Sequence, residues 1–79
     1  MSEQKTPASF KPGLLLVDTR TDRVGVVMGC EGPYVQLRPP AGGMEWDVLP
    51  DDLRPAEAND QLRAQVAAVN ARAERRRLL

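Results

Sequence analysis

Tyr34-Val35-Gln36-Leu37-Arg38, then Pro39-Pro40-Ala41-Gly42-Gly43, then Met44-Glu45-Trp46-Asp47-Val48-Leu49 is the run that decides the fold. On either side of a proline- and glycine-rich break the apolar residues recur at every second position, Val35 and Leu37 before it and Met44, Trp46 and Val48 after it. A period of two belongs to extended backbone, whose successive side chains point to opposite faces. The prolines stiffen the break and the glycines let the chain reverse, so the run predicts a β-hairpin from 34 to 49.

Towards the N-terminus, Glu31-Gly32-Pro33 is a turn signal. Before it, Arg23 to Cys30 sets Val24, Val26, Met28 and Cys30 on one face and Gly25, Val27 and Gly29 on the other. The two glycines are expected to permit the sharp bend a small barrel requires. Leu14 to Asp18, bounded by Gly13 and by Thr19-Arg20-Thr21-Asp22, predicts a short strand leading into a turn. Residues 1–12 show no periodicity and are expected to form a flexible leader whose end pins through Phe10.

Towards the C-terminus, Pro50-Asp51-Asp52-Leu53 predicts one helical turn and Leu53-Arg54-Pro55 a last short strand. Five strands at this spacing predict a mainly β fold over 13–55, a small five-stranded barrel or sandwich and not a parallel sheet. Beyond Ala56 the rhythm changes. Leu62, Val66, Val69 and Ala73 are spaced four, three and four, with alanine, glutamine and arginine between them, which predicts one C-terminal α-helix over 56–79 with a basic end. Asn59 or Asp60 is expected to cap or open it, and Asp60 near its start with arginines near its end complements the helix dipole.

The stretch from Gly13 to Pro55 resembles the small SH3-like barrels of the KOW and Tudor kind, through Gly13-Leu14-Leu15-Leu16-Val17-Asp18, Val24-Gly25-Val26-Val27 and Val35-Gln36-Leu37-Arg38-Pro39. It also resembles short actinobacterial proteins through Val35 to Pro39, Gly42 to Asp47 and Leu53 to Pro55. The resemblance implies the SH3-like fold. That fold hosts unrelated functions, so it implies nothing further by itself.

Eleven basic and eleven acidic residues leave the chain formally neutral, so bulk charge gives no reason to expect a nucleic acid or a membrane as partner. The distribution is uneven. From Asp18 to Asp60 there are nine acidic residues against four basic, and from Gln61 to Leu79 one acidic residue, Glu74, against five arginines. No apolar run is long enough to span a bilayer, the first residues lack the apolar centre of a signal peptide, and a lone cysteine suits a reducing compartment. A cytoplasmic location is the expectation.

Enzyme readings lack parts: with no histidine in the chain, neither a Ser-His nor a Cys-His pair can form, and the commonest proton carrier near neutral pH is missing. No cofactor is expected, nor a metal. Glu45, Asp47, Asp51 and Asp52 lack the ligand order of a calcium loop and are expected to be a solvated acidic rim. Gly42-Gly43 is a hairpin tip, not a phosphate cradle. Cys30 is expected to be a buried structural residue, with a reactive or dimer-forming thiol as the alternative. Trp46 is expected in the core and Tyr34 to be the exposed aromatic. Three aromatics are too few for a proline-rich groove or a methyl-lysine cage.

The candidate partner-binding residues are therefore Tyr34 and the helix seam of Leu62, Val66 and Val69. The seam is expected to pack back onto the barrel; a homodimer seam or insertion in a partner's groove is the alternative. Arg72, Arg75, Arg76 and Arg77 are candidate contacts for phosphates or for an acidic partner, including the acidic barrel of a second copy. An interaction or regulatory module that binds a partner protein or itself is the preferred expectation. A nucleic-acid-associated factor held by the arginines is the alternative, disfavoured by the acidic barrel and the missing stacking aromatics.

Overall fold

The computed structural model describes residues 10–77, with the Arg77 side chain outside the description. Most of the expected leader, 1–9, lies outside the described residues. The elements run β1 (Leu15–Asp18), β2 (Arg23–Glu31), β3 (Tyr34–Arg38), β4 (Trp46–Val48), a 3-10 turn (Pro50–Asp52), β5 (Leu53–Pro55) and α1 (Ala58–Arg77). All pairings are antiparallel, in the order β4-β3-β2-β1-β5. Four strands meander and the fifth returns to the first, so the domain is the mainly β, five-stranded fold expected, an antiparallel sheet curled into a small barrel around one core and followed by one helix.

The inner face of the sheet carries the core. Leu16, Val27, Val35, Leu37, Val48 and Leu53 are buried together, with Phe10 and Trp46 packed against them. Register explains the membership: Val27 lies opposite Leu37, Leu37 opposite Trp46, and Val35 opposite Val48, so these side chains share one face. A second cluster of Val17, Val24 and Ala64, with Leu15 against it, lies on the other face. β1 is thus covered on both sides, by the barrel core and by the helix.

The course of β2 corrects the expectation of a buried Cys30. The face of β2 that enters the core is the one with Gly25 and Val27, which stand opposite Leu16 and Leu37. Val24 is buried only because the helix covers it, and Met28 is exposed. A register shift between Val27 and Gly29 then changes the phase of the strand. It leaves Cys30 opposite Val35 but near the strand's end, exposed rather than buried.

The second strand of the hairpin is shorter than 44 to 49. Gly42 and Gly43 have φ of 87° and 118°, and the turn closed by Gly42 N–H on the Pro39 carbonyl at 2.8 Å runs on until pairing resumes at Trp46. Met44 consequently stands 88% exposed. Trp46 is half-buried rather than fully interior.

Candidate functional site

The helix is held to the barrel by a cluster of charges at its first turn. Asp60, 2% exposed, is the third residue of α1, and its Oδ2 accepts the Glu57 backbone N–H at 3.0 Å. A carboxylate at that position satisfies an amide that the helix itself leaves unpaired. Arg54 of β5 donates from Nη1 to the same oxygen at 2.8 Å and from Nη2 to Oδ1 at 3.4 Å, a two-pronged contact that fixes orientation as well as distance. Arg63, one turn along the helix, lies 3.5 Å from Asp60 Oδ1 and donates to the Asp22 carbonyl at 2.8 Å. Asp22 adopts φ of 56° in the β1–β2 turn, a left-handed conformation that aspartate tolerates better than most residues.

Those contacts set the titration of the pair. The Arg54 hydrogen bond, then the Glu57 amide, hold the Asp60 carboxyl below its ordinary range against the opposing effect of burial. Asp60 in turn raises Arg54 above its ordinary value. The helix starts at Ala58, ahead of both Asn59 and Asp60, so neither caps it as expected; Asp60 instead lies inside the first turn, as the acceptor for the Glu57 amide and the anchor to β5.

Helix geometry then decides which side faces the barrel. Asp60 and Ala64 are buried and Ala67, Ala68 and Ala71 half-buried, positions that recur every three or four residues on one face. Leu62, Val66 and Val69 are 59%, 50% and 59% exposed, and Ala73 is exposed with them. At 100° per residue the two sets lie on opposite sides of α1. The expectation that the Leu62, Val66, Val69 and Ala73 seam packs back onto the barrel is therefore overturned. The helix does dock on its own barrel, but through alanines, whose small side chains allow a close approach to Val17 and Val24. The signal was readable as Ala64, Ala67, Ala68 and Ala71, a spacing masked by the larger residues opposite.

The outward face forms a shallow groove of about 270 Å³ lined by Leu62, Gln65, Val66, Val69 and Asn70. Next to it Arg72 and Arg76 line a smaller recess with Val69 and Ala73. Arg75 points elsewhere, bordering a cleft of about 310 Å³ with Arg38, Val26, Met28 and the 39–42 loop. The arginines thus divide, two flanking the apolar stripe and one beside the barrel; the Arg77 side chain lies outside the described residues.

Tyr34 is on neither of these surfaces. It lines a cleft of about 370 Å³ on the barrel with Trp46, Leu49, Asp18, Asp47 and Asp52 among others. Trp46 is committed within that cleft. Its indole Nε1 donates to the buried Asp18 Oδ2 at 3.0 Å, and the Arg23 guanidinium lies 3.8 Å from its ring centroid. The ring also rests on Gly25, where a Cβ would come within 2.8 Å of Trp46 Cη2. A tryptophan with its N–H bonded, a face stacked and an edge against backbone serves the domain's closure, and Tyr34 is left as the exposed aromatic of the cleft.

Among the described residues no group of three or more carboxylates or thiols is placed to hold a metal ion, and no helix is long and apolar enough to cross a membrane. Compared with protein-family models, with curated proteins and with solved structures, the chain matches none.

Proposed function

We propose that this chain is a cytoplasmic, non-enzymatic protein-interaction or regulatory accessory module, an SH3-like barrel of the KOW and Tudor kind that presents α1 to a partner protein or to itself. One observation carries the reading: the helix turns its alanines to its own barrel and its leucine and valines to water. A helix that merely completed a small domain would do the reverse, because burying the larger side chains gains more per residue, about 1.5–3 kcal/mol for a leucine or valine. The Arg54–Asp60–Arg63–Asp22 contacts support the same conclusion, since a surface held in one orientation loses less entropy on binding. The exposed Cys30, with no second cysteine in the sequence, accords with a reducing compartment.

A second reading, a nucleic-acid-associated factor, draws on Arg38 standing beside Arg75 at one cleft. The nine acidic residues of 18–60 oppose it, since they repel a phosphate backbone over most of the barrel. Affinity capture with cross-linking from the native host, using the wild type, Val66→Asp and the triple change of Arg72, Arg75 and Arg76 to alanine, separates the two. The preferred reading expects Val66→Asp to lose the captured proteins and the triple variant to keep them. Binding of labelled DNA or RNA that falls steeply with salt and vanishes in the triple variant would establish the second reading instead.

A further inference from the structure

We propose that the outward face of α1 is covered by a second copy of this chain, packed antiparallel about a two-fold axis between Gln65 and Val66. The inference rests on the reading of that face as a protein-binding surface, and names its occupant.

The first support is the symmetry of the stripe. Ala58, Leu62, Gln65, Val66, Val69 and Ala73, all exposed, are separated by four, three, one, three and four residues, an order that reads the same from either end. An antiparallel two-fold at its centre sets Leu62 against the second copy's Val69, Gln65 against its Val66, and Ala58 against its Ala73. Leu62 then meets a valine, Val66 lies against the methylene stem of Gln65, and the small residues at both ends let the backbones converge. In an isologous interface each contact occurs twice, and this spacing seats every residue of the stripe on another residue of the stripe.

The second support is charge. Near the start of α1 the exposed carboxylates are Asp51 and Glu57, since Asp60 is buried on the opposite face and bonded to Arg54 and Arg63, while Arg72, Arg75 and Arg76 are exposed near its other end. Antiparallel packing brings each acidic end to the other copy's basic end, and parallel packing would oppose like charges. Arg72 and Arg76, which flank the stripe, are the two arginines so placed. The helix dipoles are also opposed in this arrangement. Because the alanine face lies opposite the stripe, both barrels fall on the outside of the helix pair. The stripe offers only three large side chains per copy, so the dimer is reversible and depends on concentration.

Sedimentation equilibrium of the full chain up to about 1 mM is expected to show a monomer–dimer equilibrium that Val66→Asp weakens at least about tenfold, with circular dichroism unchanged. Orientation is read by disulfide trapping in a Cys30→Ser background. Val66→Cys links to itself, Ala58→Cys alone does not, and a mixture of Ala58→Cys with Ala73→Cys yields the mixed dimer. Self-linking of Ala58→Cys overturns the antiparallel arrangement. A monomer at every concentration, with partner capture still lost in Val66→Asp, overturns the second copy as occupant while the interaction surface stands. A monomer with capture unaffected by Val66→Asp overturns both.

Discussion

Gly25 sits where β1, β2, β3 and the Trp46 ring come closest, and the sequence offers it only as one of two glycines in an apolar strand. A Cβ there would lie 2.8 Å from both Leu37 Cβ and Trp46 Cη2, and neither the β3 backbone nor a ring stacked under Arg23 can retreat cheaply. Gly25→Ala is therefore expected to destabilise the domain by about 1–3 kcal/mol, measured as a fall in the urea midpoint. Gly29, which has nothing within 4 Å of its ideal Cβ, should accept alanine with far less loss. Asp60 is the other residue whose context decides its behaviour. Its folded carboxyl titrates below the ordinary 3.8, so its contribution is complete above that value and is lost as pH falls through the lowered one. Acid unfolding below about pH 4 is thus expected to be steeper in the wild type than in Asp60→Asn, which should be less stable at neutral pH and nearly flat in this component. Equal slopes for the two proteins would refute the role given to the Arg54–Asp60 contact.

At the scale of the element, α1 has two apolar faces that oppose each other, one small and covered, the other large and open. Its period of three to four residues was legible, because leucine, valine and alanine recur at helical spacing against a polar remainder. The face it buries was not, since a rule that ranks side chains by size selects Leu62, Val66 and Val69, whereas the residue packed on Val17 and Val24 is Ala64. The consequence is testable. Ala64→Leu inserts three carbons between helix and sheet and is expected to cost about 1–3 kcal/mol, seen as a lower thermal midpoint with loss of helical dichroism. Val66→Ser, on the open side, should change monomer stability by no more than about 0.5 kcal/mol.

At the scale of the whole molecule, the switch from period two to period three or four near Pro55 was enough to give five strands and a helix in the right order. Interior phase was harder to read. β2 alternates with valines on both faces, so sequence alone could not tell which face met Leu37 and which met the helix. The register shift after Val27 then reset the phase and left Cys30 in solvent. Trp46 illustrates the same limit from the other side: its position at an alternating site marks it as interior, but its pairing with Asp18, 28 residues away, is a product of topology. The stripe of Leu62, Val66 and Val69 stood out by its spacing, while the direction it faces was read in reverse.

The enclosure of Trp46 has a practical consequence. It is the chain's single tryptophan, stacked under one guanidinium and hydrogen-bonded to one carboxylate, so the intrinsic emission of the protein reports on the joining of β4 to β1 and β2 and on little else. Departure of α1 would leave that optical signal nearly silent while the far-ultraviolet spectrum changed, and the two halves of the molecule can be watched separately in one cuvette without any label.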